Sequence, residues 1–243
     1  MTDWQTEVKD QSPLGLLQWA RSKFNNRLIL ASSFGAEDMV LIDMLSQLGE
    51  FQVFTLDTGR LHEETYQLIA QAVKRYPQMQ LRVMFPDRSA VEEMVATKGI
   101  NLFYESVENR KLCCHVRKIE PLSRALEGFE AWITGLRADQ TASRATMSLI
   151  ESDRVPLTKQ PIVKINPLLL WKHEDVWSYI RENQVPYNVL HDRGFPSIGC
   201  APCTRAIEAG EDLRAGRWWW EQDNKECGLH VTSTGELVRA TVT

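Results

Sequence analysis

The chain has 243 residues, of which 43% are hydrophobic and 25% charged, with a formal net charge of −4. This is enough for one buried core, and there is no global basic field to recommend nucleic acid or an anionic membrane as partner. No apolar run is long enough to cross a bilayer and the first residues carry no signal pattern, so a cytoplasmic location with reduced thiols is expected.

Residues 1–26 read as a helical lead-in, with Leu14, Leu16, Leu17 and Trp19 on its apolar face. Residues 28–31 form a short apolar run, then a loop of small residues, then a helical pattern over 39–48. A second strand is expected over 51–56, closed by Asp57, Thr58 and Gly59. A helix follows over 62–76, with Glu63 and Glu64 where the macrodipole favours negative charge. A third strand at 81–85 stops at Pro86. Ser89 is placed as the cap of the next helix, with Glu92 completing a capping box. Residues 131–134 and 162–165 read as fourth and fifth strands. A helix over 173–183 turns Val176, Trp177 and Ile180 inward. Beyond Val185 the pattern breaks down into irregular structure expected to lie over the mouth of the sheet. The alternation predicts an α/β fold with a mostly parallel, doubly wound sheet. A single domain is expected over 1–243, with 205–243 as an irregular, mobile C-terminal tail.

Three features carry chemistry. The loop Ser32-Ser33-Phe34-Gly35 joins a strand to a helix, and such a loop can turn its amides toward a phosphate or simply make a tight turn. It lacks the Gly-Lys-Ser/Thr ending of a P-loop. The crevice beyond strand ends is where open α/β sheets bind ligands, and Asp57-Thr58-Gly59 would line the same edge.

The second feature is the cysteines, five in all. Cys113 and Cys114 are adjacent, and Cys200 and Cys203 are separated by two residues. Together they make a four-thiolate set for an iron–sulfur cluster or zinc. Adjacent ligands are strained for structural zinc, which favours the cluster, while a redox dithiol at Cys200 and Cys203 would leave the other pair unexplained. The fifth, Cys227, lies in Glu226-Cys227-Gly228-Leu229-His230 and is a candidate nucleophile or a packed tail thiol.

The third is a basic set near the cysteines: Lys118, Arg137, Arg144, Arg214 and Arg217. Lys118 sits four residues after Cys114, one helical turn on, and Arg214 and Arg217 are likewise placed a helical turn apart. In an acidic chain this concentration points to an anionic substrate. The tryptophans at 218–220 are read as core or as a contact between copies in a homo-oligomer.

These residues resemble a known family. The stretches Ser32–Asp38, Leu56–Tyr66, Cys113–Lys118, Gly135–Gln140, Cys200–Cys203 and Glu226–His230 fall in the order and spelling of the assimilatory adenylyl-sulfate (APS) reductases. They belong to the wider family of APS/PAPS reductases, PAPS being the 3′-phosphorylated substrate. The resemblance implies an adenine-nucleotide α-hydrolase-like fold. It implies that Cys113, Cys114, Cys200 and Cys203 hold a [4Fe-4S] cluster and that Cys227 is the catalytic nucleophile. Lys118, Arg144, Arg214, Arg217 and His230 would surround the phosphosulfate. Ser32, Ser33, Phe34, Gly35, Leu56 and Gly135 would hold the adenosine and its phosphate.

The implied reaction is reduction of APS to sulfite and AMP through a cysteine thiosulfonate, with thioredoxin or a glutaredoxin-like protein as electron donor. It would serve sulfate assimilation and cysteine biosynthesis. Arg60, where PAPS-specific relatives tend to carry tyrosine, leans toward APS, and PAPS or dual use is the alternative. Adenylating or RNA-thiolating enzymes of the same fold would show a Ser-Gly-Gly-x-Asp-Ser loop and a basic surface. A non-enzymatic cluster-bearing module would leave Cys227 and the basic set idle.

Overall fold

The computed structural model describes residues 2–141 and 144–221. Two helices open it, α1 (Thr2–Val8) and α2 (Pro13–Phe24). Ser12 caps α2 by accepting from the Gly15 amide at 3.1 Å, and Pro13 takes the first helical turn, where no N–H is needed.

Strand β1 (Leu28–Ala31) follows, then α3 (Ala36–Ser46), β2 (Phe51–Leu56), α4 (Glu63–Arg75), β3 (Met79–Met84) and α5 (Arg88–Lys98). Helix α3 is buried along almost its whole length, Met39 to Ile42 being fully inaccessible, because it lies in the main core between the sheet and later helices. Its pattern therefore shows apolar residues on every side rather than a stripe. Helix α5 is capped by Asp87, not by Ser89: the Asp87 carboxylate accepts from the Ala90 amide at 2.9 Å, and Ser89 lies inside the helix. The carboxylate right after Pro86 reaches the first free amides before a later residue can.

Helix α6 (Val107–Cys114) runs through a π-helical turn at His115–Ile119 into α7 (Glu120–Leu126). The Glu120 amide bonds the His115 carbonyl, five residues back, and Pro121 has no N–H to restore the α pattern. Then come β4 (Ala131–Ile133), β5 (Ile150–Arg154), β6 (Pro161–Ile165) and α8 (His173–Glu182).

The six strands stand in the order β3-β2-β1-β4-β6-β5, all neighbours parallel except β5 and β6. The doubly wound expectation holds, and the predicted fifth strand is β6. Strand β5 was missed: only Ile150 of its five residues is buried, as befits a polar edge strand with little period-2 signal. The chain winds outward from β1 to β3 and then returns to the other side of β1 as β4. The switch point thus falls between β1 and β4. From Val185 onward the described chain is irregular, with short 3₁₀ turns at His191–Arg193 and Ala201–Cys203, as expected. Among the described residues no helix is long and apolar enough to cross a membrane.

Candidate active site

At the carboxyl ends of β1, β2 and β4, astride the switch point, lies a cleft of about 320 Å³. Ser32, Ser33, Gly35, Leu56, Gly135, Lys118, Arg144, Arg214 and Arg217, all expected at the site, line it. Phe34 does not: its side chain is 1% exposed within the main core, and its backbone takes a left-handed turn at φ +58°. Cys227 and His230 lie outside the described residues, as does the part from 222 onward of the tail expected over 205–243.

The loop after β1 is folded onto itself. Asp38, in the first turn of α3, accepts from the Ser33 amide at 2.6 Å and the Ser33 hydroxyl at 2.9 Å. The Phe34 amide donates to Ser32 Oγ at 3.1 Å. These two amides are therefore engaged within the loop, which favours the tight turn over the alternative of amides offered to a phosphate. What faces an anion here is the start of α3 and the cleft's cationic side chains. Gly135 lets the end of β4 meet this turn, since a Cβ there would stand 2.4 Å from Asp38 Oδ1.

Burial pushes the Asp38 carboxyl up to about 6, a trend that the hydrogen bonds from Ser33 oppose and the neighbouring Glu37 reinforces. The sign follows from linkage: the folded state holds this proton more tightly than the unfolded chain, where Asp titrates near 3.9. Stability from this group is thus full at low pH and falls as pH rises from about 4 through about 6. Asp38→Asn removes the titration. The stability difference, variant minus wild type, is expected to shift in the variant's favour by roughly 2 kcal/mol between pH 4 and pH 8. Urea melts at the two pH values check this; an unchanged difference contradicts it.

A second, smaller cavity opens beside the cleft. Cys113, Cys114, Cys200 and Cys203 all line it, together with Arg60, Arg110, Arg117, Lys118, Arg217 and Trp218. No disulfide joins the four thiols; three are buried and Cys114 is partly so. Burial raises the Cys113 thiol, and burial with the nearby Cys200 pushes Cys203 up to about 12. Thr58 Oγ1 stands 3.3 Å from Cys200 Sγ. Buried Arg117 Nε, Arg217 Nε and Trp218 Nε1 have no hydrogen-bond partner among the described residues. Four soft donors ringed by unused N–H groups and cations fit an anionic cluster with sulfur acceptors. No three Cys, His, Asp or Glu side chains among the described residues converge on a single-ion site.

Lys118 and Cys114 share this cavity, as their spacing of four residues predicts, with Lys118 in the π turn that follows Cys114 rather than in α6. Arg214 and Arg217 lie on a turn, not a helix: the Arg217 amide bonds the Arg214 carbonyl at 2.9 Å, and Arg217 bridges to Thr204. Arg217 crosses above Gly199, where a Cβ would sit 2.4 Å from its Nη2. Trp218 is buried between Arg110 and Arg217, each 4.7 Å from its ring, and Trp219 is exposed. Arg110 makes a two-pronged pair with Glu221 at 2.7 and 2.9 Å, both side chains 3% exposed.

Arg60 faces this cavity, not the cleft. It donates to Ile100 O and Asn101 Oδ1 and lies over Phe103. Arg110, Arg117 and Gln140 were not singled out from sequence. Arg110 and Arg117 lie three and four residues from Cys113 and Cys113's helix carries them to the same wall, which was the available signal.

Residues 27–206 match the phosphoadenosine phosphosulfate reductase domain. The chain is 49% identical over 211 residues to an adenosine 5'-phosphosulfate reductase of Burkholderia cepacia, covering 86% of this chain and 82% of that one. It is 50% identical over 205 residues to a protein of the same name in Allochromatium vinosum, covering 84% and 78%. Among solved structures it is similar to the phosphoadenylyl-sulfate (PAPS) reductase of Candida auris, with a TM-score of 0.71 and 31% identity, covering 83% of this chain and 94% of that one. An FMN adenylyltransferase of Candida glabrata shares the fold at a TM-score of 0.56 and 16% identity, over 86% and 70%.

Proposed function

The chain belongs to the phosphoadenosine phosphosulfate reductase domain family, and from that membership we propose that it reduces adenosine 5'-phosphosulfate to sulfite and AMP. One observation carries the reading beyond its relatives' names. Lys118, Cys200 and Arg217 line both the nucleotide-sized cleft and the cysteine cavity, so the cationic end of the cleft and the thiol set are one continuous site.

Sulfate is a poor electrophile until it is joined to AMP as a mixed anhydride, which supplies a good leaving group. The Cys227 thiolate attacks the sulfur, an S–S bond forms, the S–O bond to phosphate breaks, and AMP leaves with the electron pair. The enzyme then carries Cys227–S–SO₃⁻. A thiolate of a thioredoxin or glutaredoxin-like dithiol protein attacks the Cys227 sulfur and releases sulfite. Its second thiol resolves the mixed disulfide, so both electrons come from the dithiol. A cytoplasmic setting goes with this reductant.

Cys227 follows Glu221 by six residues, an extended reach of about 20 Å. Glu221 is anchored by Arg110 on the wall of the cysteine cavity, and the chain to Cys227 starts from there. Repulsion between a thiolate and a doubly anionic substrate opposes the attack. Lys118, Arg144, Arg214 and Arg217, with His230 as a further contact, offset it and stabilise charge growing on the leaving phosphate. Ser32, Ser33, Leu56 and Gly135 hold the adenosine and its phosphate. Cys113, Cys114, Cys200 and Cys203 would hold a [4Fe-4S] cluster, which when bound supplies fixed charge and a structural staple rather than electrons.

Sulfite release by the iron-loaded enzyme with reduced thioredoxin tests the reading. We expect kcat/KM for APS to exceed that for PAPS at least ~100-fold. Equal use of PAPS would move the reading to a dual reductase. Pyrophosphate release from ATP, with no sulfite from either substrate, would move it to an adenylating enzyme.

A further inference from the structure

Gln140 occupies the last position of the 3₁₀ turn Ala138–Gln140, in the segment that follows β4. Its carbonyl accepts from the Arg137 amide at 3.1 Å and from Arg144 Nη1. Its amide nitrogen donates to Glu37 Oε1 at 3.0 Å, the same oxygen that takes Arg137 Nε at 2.9 Å. These partners fix the amide's orientation, because a carboxylate only accepts and an N–H only donates. Glu37 stands in the first turn of α3, beside the nucleotide loop. Arg137, 4% exposed, also pairs with Asp139, whose other oxygen takes the His173 amide at 3.1 Å. The floor under Gln140 is therefore pinned to both α3 and α8.

Arg144 is 7% exposed and lines the cleft. A long buried cation is useful to an anion only if its guanidinium is held in one orientation. A neutral acceptor orients it without cancelling its charge, whereas a carboxylate in the same place would compete with the substrate. We propose that Gln140 is a positioning residue that aims Arg144 at the anionic end of the bound nucleotide, using Glu37 as its anchor. This rests on the reading of Arg144 as a substrate contact.

The test is a double-mutant cycle read by calorimetric binding of ADP, whose β-phosphoryl group stands in for the sulfonyl group. Gln140→Ala and Arg144→Ala are each expected to weaken ADP roughly tenfold, about the loss of one hydrogen bond to a charged group. In the Arg144→Ala background, Gln140→Ala is expected to cost no further affinity. A merely structural role would persist there and give additive losses, which would overturn the proposal. Gln140→Met, of equal length but without hydrogen bonds, guards against loss of fold and should behave as Gln140→Ala does. If Arg144→Ala weakens ADP while both Gln140 variants bind as the wild type does, the proposal fails and the reading of Arg144 stands. If Arg144→Ala itself binds normally, that reading fails, and the proposal with it.

Discussion

A Cys227→Ser variant is expected to bind APS normally and to lose sulfite release by about a thousandfold or more. Serine's hydroxyl is a weak nucleophile without a base to activate it, and the sulfate ester it would form offers the dithiol no side-chain sulfur to attack. The loss should therefore fall on kcat, with KM little changed. Steady-state sulfite assays with APS and reduced thioredoxin measure it. In parallel, APS labelled in its sulfur should label the wild-type protein when no reductant is present, and leave the variant unlabelled. A variant that keeps turnover would remove Cys227 from the mechanism.

The second large effect is expected at the cysteine cavity. Cys203→Ser should bleach the visible absorption, release iron and lower the thermal midpoint by roughly 10 °C, on the scale of several kcal/mol for a domain of this size. The apolar residues there are few: Met94, Leu102, Phe103 and Trp218 are buried around Cys113, Cys200 and Cys203. Apolar packing this limited leaves the region dependent on what the thiols hold. Both Lys118 and Arg217 span the two cavities, so loss of the ligand set should also weaken ADP binding. Iron analysis and a melting curve decide the first part. A Cys203→Ser protein that keeps its iron and colour would contradict the assignment of this ligand.

The sheet was legible wherever its strands are buried on both faces. Strands β1, β2 and β4 read as short apolar runs because helices cover them on either side. Strand β5 escaped because an edge strand buries little, and Glu151, Ser152, Asp153 and Arg154 look like a loop. That the two cysteine pairs would gather in one cavity was legible from residue type alone, since two pairs of thiols are the pattern of a four-ligand set.

The details of the loop after β1 were not legible. Sequence marks it as small and turn-forming, but only the fold brings Asp38 back onto Ser33 and turns two amides inward. Phe34 shows the same limit, because its left-handed backbone sends into the core a side chain that its motif position put in the site. Arg60 is a third case. The resemblance made it a pointer toward APS, and nothing local in the sequence signalled its contacts with Ile100, Asn101 and Phe103. The Gln140 to Glu37 contact joins positions about a hundred residues apart, and no local pattern signals it.

The covalent step can be isolated by withholding the reductant. Iron-loaded enzyme mixed with excess APS should release one AMP per active site and then stop. The peptide containing Cys227 should gain the mass of one sulfonate group, and adding reduced thioredoxin should discharge it as one equivalent of sulfite. AMP release that requires the reductant from the start, or a sulfonate found on any of Cys113, Cys114, Cys200 or Cys203 instead, would contradict a mechanism through Cys227.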